Sequence, residues 1–279
     1  MNIVGRNFFR LLRSGTLNEF ETIEPMSTFK WRRLNRMAIA HGVAEIIYRG
    51  MQGHSYDKEN TLPANIKNEL LQNAQSYEMR NEDNESLQLH DSEQFTQGSS
   101  PLLKQRLEQI RQSAQTAPPP LPKTLELLNL IIDNTETLIN QTMPLQGIGK
   151  LALFLRTQGE EADYVQLEKW LQQLHLQKMA DLIGSLAMEI YQLQQDELPF
   201  ITQQDPNAKT LVEKTLKQTC LQDAAQWKLH QTGAGFSIQN SAALRRDLSR
   251  SIRFFRYAPL ETTCAFFKNF ARGLSEIEE

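Results

Sequence analysis

Apolar residues recur every three or four positions along most of the chain, between polar stretches that contain glycine and proline. This spacing places apolar side chains on one face of an α-helix, so it predicts helices from end to end. The clearest stripes are Val4, Phe8, Leu11 and Leu12; Leu125, Leu128, Ile132 and Leu138; and Leu167, Trp170, Leu171 and Leu174. Strand-like alternation is not found. The pattern predicts an all-α multi-helix bundle with little or no β-structure.

Several helix ends are predicted from capping residues. Gly15 is expected to end the first helix, because glycine is common just past a helix end. Gly42 is expected to end or kink the second helix. The helix after Pro144 is expected to begin near Leu151 and end at Gly159. Asp163 is expected to cap the next helix, because its carboxylate can accept from a free backbone N–H.

The composition changes in the middle of the chain, which suggests a division into two helical units. The run Pro118–Pro122 is expected to be extended, because proline lacks a backbone donor and restricts its predecessor. A stiff spacer is favoured over a ligand for a proline-reading partner. The predicted division is 1–92, a linker 93–123, and 124–279. Two separate units and one shared core both remain open.

Length and composition indicate an ordinary globular protein. The 279 residues are 40% apolar and 23% charged, and no apolar run reaches the roughly 20 residues of a membrane-spanning helix. The segment Met1–Leu12 contains two arginines and no small-residue cleavage site, which disfavours a secretory signal. Cys220 and Cys264 have no metal-ligand spacing. The expectation is a cytoplasmic protein of bacterial type with two reduced thiols, no metal and no cofactor.

Charge is unevenly distributed, although the net charge is only −3. Residues 1–40 hold seven Lys and Arg against three acids, and residues 157–200 hold eight acids against two lysines. Basic ends and an acidic middle can attract each other within the fold. The low net charge gives no specific signal for nucleic acid.

The most suggestive charged feature is a predicted arginine-rich helix at 242–256. Apolar residues at positions 244, 248, 252 and 255 form one face, and arginines occupy the others. Its candidate anion-binding residues are Arg245, Arg246, Arg250 and Arg253. A solvated face, or one paired with the acidic middle, is the plainer interpretation. An anionic partner or a membrane surface are the alternatives.

Other conspicuous residues are interpreted as structural. His41 follows an apolar run at a helix end, with no second ligand at metal-binding spacing, so a packing or capping role is expected. The phenylalanine groups are expected in the core. They are Phe8 and Phe9, Phe254 and Phe255, and Phe266, Phe267 and Phe270.

Two blocks resemble an uncharacterised bacterial family of nucleotidyltransferase-like proteins. The first is Trp31–Tyr48, with the run Ala38-Ile39-Ala40-His41-Gly42-Val43, and the helix after Pro63 is similar to the next helix of the family. The second is Gly147–Phe200, with Leu167-Glu168-Lys169-Trp170-Leu171 and the closing Glu197-Leu198-Pro199-Phe200. In the family, these helices flank a polymerase-beta-like catalytic core.

That core is missing from this chain. Its chemistry needs a Gly-Ser turn between a strand and a helix, then two acids one residue apart on a strand that hold magnesium. The only Gly-Ser pair in residues 84–146 is Gly98-Ser99, which Ser100-Pro101 follows directly. No strand pattern is found in this stretch. Asp133 and Glu136 are spaced as neighbours on a helix. No catalytic residue, metal ligand or cofactor site is therefore carried over from the family.

The sequence favours a non-catalytic helical scaffold or binding protein, a core-less relative of that family, with a protein or a paralogue as its partner. The first alternative is an enzyme that binds a nucleotide or phosphate in an arginine-lined cleft, although no base or nucleophile can be named. The second alternative is a protein attached to a membrane surface through the arginine-rich helix.

Overall fold

The computed structural model describes residues 1–53, 67–72, 101–115, 121–140, 143–216 and 254–259, and these contain helices and no strands. The predicted all-α fold class is confirmed. The helices are α1 (Ile3–Leu17), α2 (Thr28–Ala40), α3 (Ala44–Gln52), α4 (Pro101–Gln115), α5 (Leu121–Asn140), α6 (Leu145–Gln158), α7 (Tyr164–Gln173) and α8 (Gln177–Tyr191). Short 3₁₀ turns lie at Gly159–Glu161 and Gln195–Glu197, and residues 67–72 and 207–216 are also helical.

Helix α1 shows why a glycine does not always mark a helix end. The side chain of Asn2 caps its first turn by accepting from the Gly5 N–H at 2.9 Å. The helix continues past Gly15 to Leu17 and stops at Asn18, which adopts the left-handed conformation. The predicted stop at Gly15 is wrong. A Cβ at Gly15 would overlap the carbonyl of Ile46, so this glycine lets α1 and α3 cross closely.

Gly50 completes the same crossing from the other side. A Cβ at Gly50 would overlap the Leu11 carbonyl of α1, and Gly15 and Gly50 also face each other. In the chain between these two helices, α2 ends at Ala40 and is capped by His41, and Gly42 follows with a left-handed φ of 64°, so the predicted end near Gly42 is confirmed. The Val43 N–H donates back to the Ala38 carbonyl at 2.9 Å, which is the bonding expected after a left-handed glycine.

The C-terminal helices match the predicted stripes closely. The residues of the stripes led by Leu125 and by Leu167 are buried. Asp163 caps α7, and its carboxylate accepts from the Gln166 N–H at 2.9 Å. The Asp163 N–H donates to the hydroxyl of buried Thr124, which ties the start of α7 to α5. The cap predicted at Asp163 is confirmed.

Two boundaries near the middle of the chain differ from the prediction. Leu121 and Pro122 lie in the first turn of α5 rather than in an extended run, which is possible because the first turn of a helix does not need proline's missing donor. The rest of the proline run lies outside the described residues. Helix α6 begins at Leu145, earlier than the predicted Leu151, so Gly147 and Gly149 are inside it.

These two glycines of α6 make room for side chains of neighbouring helices. A Cβ at Gly147 would overlap the amide oxygen of Asn134 on α5, and one at Gly149 would overlap the hydroxyl of Tyr191 on α8. That hydroxyl donates to the Leu145 carbonyl at 2.9 Å. Burial raises the pKa of Tyr191, so it stays a neutral donor at any ordinary pH.

Helix α1 joins the N-terminal helices to the C-terminal ones. It packs against α6 and α8 as well as against α2 and α3. The guanidinium of Arg13 on α1 donates to the carbonyl of Ile190 on α8 at 2.9 Å. A single apolar cluster includes Phe8 and Leu34 together with Leu151 and Leu186. The domain limits 1–92, 93–123 and 124–279 remain a prediction.

Candidate anion-binding groove

The arginines of α1 bind carboxylates of the segment directly after the same helix. Both oxygens of Glu24 accept from Arg6, each at 2.7 Å, and Arg10 lies 3.0 Å from one of them. The side chain of Asn7 holds the Glu24 backbone with two further hydrogen bonds. The hydrogen bond from Arg6 holds the pKa of Glu24 below its ordinary value. These cations are therefore already used inside the fold.

Two more arginines fasten the same segment, residues 18–27. Arg13, whose side chain is only 7% exposed, forms a two-pronged ion pair with Glu21 and also bonds the Ile190 carbonyl. Arg156 of α6 pairs with Glu19 and, at 2.9 Å, with Glu197. The excess of positive charge predicted for residues 1–40 is thus partly balanced by its own acids. The α1–α2 connection is a structural clamp.

A buried carboxylate fixes the chain after α8. Asp181 accepts from the backbone N–H of Thr202 at 2.9 Å and from its hydroxyl at 2.8 Å. One turn later, the hydroxyl of Ser185 accepts from the backbone N–H of Asp205 at 2.8 Å. These bonds tie residues 202–205 to α8 and thereby determine where Asp205 lies.

Asp205 in turn starts the helix at residues 207–216. Its carboxylate accepts from the Asn207 N–H and from the Asn207 side-chain amide, both at 2.7 Å. Asn207, Thr210, Leu211 and Lys214 lie at helical spacing, so they share one face. This face forms one wall of a groove of about 180 Å³. The opposite wall is Arg256 and Tyr257, and together these residues define the cationic groove.

A network of hydrogen bonds joins the two walls of the cationic groove. The Tyr257 hydroxyl accepts from the Asn207 amide at 3.0 Å and from the Arg256 guanidinium at 3.0 Å. The guanidinium carbon of Arg256 lies 4.8 Å from the centre of the Tyr257 ring, within cation–π range. Among the described residues, the nearest carboxylate oxygen, of Asp205, is 4.0 Å from Arg256, at the limit of an ion pair.

The electrostatics of the groove favour an anion. Lys214 and Arg256 are exposed, and Lys214 forms no ion pair with any other described residue. Burial, and then the hydrogen bond with Asp205, raise the pKa of Tyr257, so its hydroxyl keeps its proton at neutral pH. The open groups of the groove are therefore mainly positively charged donors, and the apolar side chain of Leu211 also lines it.

The predicted anion-binding residues Arg245, Arg246, Arg250 and Arg253 lie outside the described residues, and so do Phe266, Phe267 and Phe270. The structure does place the neighbouring Arg256, which belongs to the same arginine-rich stretch of the sequence. Of the paired phenylalanines, Phe8, Phe9 and Phe254 are buried as predicted. Phe255 is 54% exposed, so its predicted core position is wrong, because residues 255–257 form a turn and not a continuing helix.

His41 and Asp133 carry the other perturbed groups of interest. His41 caps the end of α2, its ring centre lies 6.2 Å from that of Phe8, and burial lowers its pKa, which fits a packing role. Asp133 on α5 is half-buried, and burial raises its pKa to about 6 although Arg111 and Lys150 act in the opposite direction. The described residues contain no group of His, Cys, Asp and Glu arranged to hold a metal ion.

In the described part of the chain, no helix is both long and apolar enough to cross a membrane. Compared with known proteins, this chain matches no protein-family model, no curated protein and no solved structure.

Proposed function

We propose that this chain is a non-catalytic helical binding protein that holds an acidic group of a protein partner in the cationic groove. In this proposal it keeps the helical flanks of the nucleotidyltransferase-like family without the catalytic core, and a full-length paralogue is one candidate partner. The observation that carries the proposal is the pair of exposed cations, Lys214 and Arg256, on facing walls of one groove.

The use of the other charged groups supports this choice of site. Arg6, Arg10 and Arg13 are bound to carboxylates of their own chain, and Asp181 is filled by hydrogen bonds from Thr202. The charges of these arginines are balanced within the fold, so these arginines stabilise the fold and attract an outside anion less strongly. Arg256 is different, since its side chain is 65% exposed and its only carboxylate neighbour among the described residues is at 4.0 Å.

The groove is one contact within a larger interface. Stable protein–protein interfaces bury roughly 1,200–2,000 Å², which a groove of about 180 Å³ cannot supply alone. Two exposed cations mainly increase the rate of association and the specificity for an acidic surface. Binding should therefore weaken as the salt concentration rises, because salt screens exposed charges.

The test is an interaction assay between the full-length chain and candidate paralogues, with charge-reversal variants. Lys214→Glu combined with Arg256→Glu should abolish binding. Lys209→Glu is the matched control, because Lys209 is exposed on the same helix but does not line the groove. Binding that survives the double reversal, or that Lys209→Glu removes equally, contradicts the assignment of the groove.

The competing function is an enzyme that binds a nucleotide or phosphate in an arginine-lined cleft. The same two cations favour it, since arginine and lysine both bind phosphate. The size of the groove disfavours it, because about 180 Å³ is below the roughly 300–1,000 Å³ of pockets that enclose a small-molecule ligand. Thermal unfolding with nucleoside triphosphates, with and without magnesium, separates the two functions. A ligand that binds only the folded state must raise the unfolding temperature.

A further inference from the structure

We infer that the cationic groove accepts a single oxyanion group, a phosphate or a carboxylate, and that Tyr257 and Asp205 hold Arg256 in position to bind it. The inference deepens the proposed function and rests on it, since it names the chemistry that the groove recognises. Tyr257 and Asp205 act as positioning residues, whereas Lys214 and Arg256 contact the anion.

The hydroxyl of Tyr257 has no acceptor position left for a further donor. A hydroxyl offers two acceptor lone pairs and one donor hydrogen. Both lone pairs are occupied by the donors of Asn207 and Arg256, each at 3.0 Å. The carboxylate of Asp205, which accepts from the Asn207 amide and lies 4.0 Å from Arg256, contributes to the raised pKa of Tyr257. Through its two acceptor positions, the hydroxyl therefore fixes Asn207 and Arg256.

This arrangement restrains an arginine that would otherwise move freely on the surface. One N–H of Arg256 is bound to the Tyr257 hydroxyl, and the guanidinium lies over the Tyr257 ring. A guanidinium carries five N–H donors, so the others remain for a ligand. Since the side chain is already ordered, less conformational entropy is lost when an anion binds.

The groups that remain open define the ligand class. The free N–H groups of Arg256 and the ammonium of Lys214 are donors only, so the matching ligand is rich in acceptors and negatively charged. Leu211 and the Tyr257 ring give an apolar surface for the carbon atoms next to such a group. The small volume of the groove limits the ligand to one oxyanion and its nearest atoms.

The experiment is a titration of the full-length chain with inorganic phosphate and with acetate at constant ionic strength, monitored by NMR or calorimetry. The wild type should bind at least one of the two anions, and the Lys209→Gln control should bind that anion with the same affinity. Lys214→Gln and Arg256→Lys should each weaken binding about tenfold, since Lys cannot replace a two-pronged guanidinium. The relative affinities of phosphate and acetate identify which oxyanion the groove prefers.

A double-mutant cycle tests the positioning role. Tyr257→Phe keeps the ring and removes the hydroxyl, so it should weaken binding while Arg256 is present and have little effect in the Arg256→Gln background. Asp205→Asn, which keeps a good helix cap, is the second variant if Tyr257→Phe does not fold. Fully additive effects on affinity would show that Tyr257 acts independently of Arg256, and an unchanged affinity of Tyr257→Phe would show that Tyr257 acts only on stability; either result would overturn the positioning role.

Two other outcomes overturn the ligand class. The first is wild-type protein that binds neither phosphate nor acetate. The second is a nucleoside triphosphate that binds much more tightly than phosphate through Lys214 and Arg256, because that result requires a larger site. If neither anion binds but the Lys214→Glu, Arg256→Glu pair still abolishes partner binding, the proposed function stands and this inference fails.

Discussion

The arginines of α1 and the cations of the groove are the same kinds of residue in opposite situations. Arg13 is 7% exposed and forms a two-pronged pair with Glu21, whereas Arg256 is 65% exposed and, in the part of the chain that the structure describes, has its nearest carboxylate oxygen at 4.0 Å. The first arrangement uses charge to close a loop on a helix, and the second leaves charge available. A count of positive residues along the chain does not distinguish them.

The largest expected effect on stability comes from removing the buried Arg13. Arg13→Ala should lower the free energy of unfolding by about 3 kcal/mol, because it leaves Glu21 and the Ile190 carbonyl without their donor. Urea denaturation measures this as a lower midpoint with an unchanged slope. Arg49→Ala is the control, since Arg49 and Glu45 form an exposed pair on α3 that should contribute less than about 1 kcal/mol. A loss as small as in that control would mean that the clamp does not stabilise the fold.

Asp133 differs from the carboxylates that the α1 arginines bind, because its nearby cations do not compensate for the cost of its burial. Its pKa is about 6 in the folded chain, against 3.8 for a free carboxyl, so the folded state binds the proton more tightly. Stability should therefore fall as pH rises from about 4 to 6. Asp133→Asn should stabilise the protein at pH 7.5 by about 1–2 kcal/mol, after allowance for partial exposure. It should change little near pH 3.

The measurement for Asp133 is thermal or urea unfolding across this pH range. Glu108→Gln on the exposed side of α4 is the control: it keeps Asp133, so its stability should follow that of the wild type across this pH range. If Asp133→Asn destabilises the protein at pH 7.5, the attraction of Arg111 and Lys150 outweighs the cost of burial.

The contribution of Glu24 to stability changes with pH in the opposite direction to that of Asp133. Its pKa is lowered in the folded chain, chiefly by the hydrogen bond from Arg6, so its contribution is present above its ordinary pKa and is lost as pH falls through the folded value. Glu24→Gln should destabilise the protein at pH 7 and make its stability less sensitive to acid below pH 4.5. An acid unfolding curve of the variant that is parallel to that of the wild type would refute this.

The smallest expected effect on stability comes from removing the exposed Arg256. Arg256→Ala should change the free energy of unfolding by no more than about 0.5 kcal/mol, as is usual for an exposed cation, since its nearest described carboxylate is at the limit of an ion pair. The same variant should lose the binding of the anion. A large loss of stability would place Arg256 with Arg13 as a structural residue and would weaken the proposed function.

Much of the fold could be predicted because it depends on local pattern. The stripe from Leu167 to Leu174, the cap at Asp163 and the stop at Gly42 are all determined by the spacing or backbone freedom of neighbouring residues. The roles of Gly15, Gly147 and Gly149 could not be predicted in this way. They depend on which atom of another helix approaches them, and sequence periodicity contains no such information.

The groove was only partly accessible from the sequence. Helical spacing places Asn207, Leu211 and Lys214 on one face, and the arginines before Tyr257 indicate that this part of the chain is cationic. Nothing in the pattern indicates that Tyr257 meets Asn207, because these residues are distant along the chain. The hydrogen bond between them depends on how Asp181 and Ser185 fix the chain after α8.

Because of these hydrogen bonds, the position of α8 determines where the residues of the groove lie. A path of hydrogen bonds runs from the Asp181 backbone carbonyl and the Ser185 hydroxyl through Asp205 to Asn207, and from there to Tyr257, while the Asp181 carboxylate holds Thr202 beside this path. If the intact path favours anion binding, then anion binding must favour the intact path to the same extent. An anion bound to Arg256 should therefore make local unfolding of this segment less favourable. Amide hydrogen exchange in the middle of α8 should therefore slow when the groove is occupied, and Asp181→Asn should weaken anion binding although Asp181 does not line the groove.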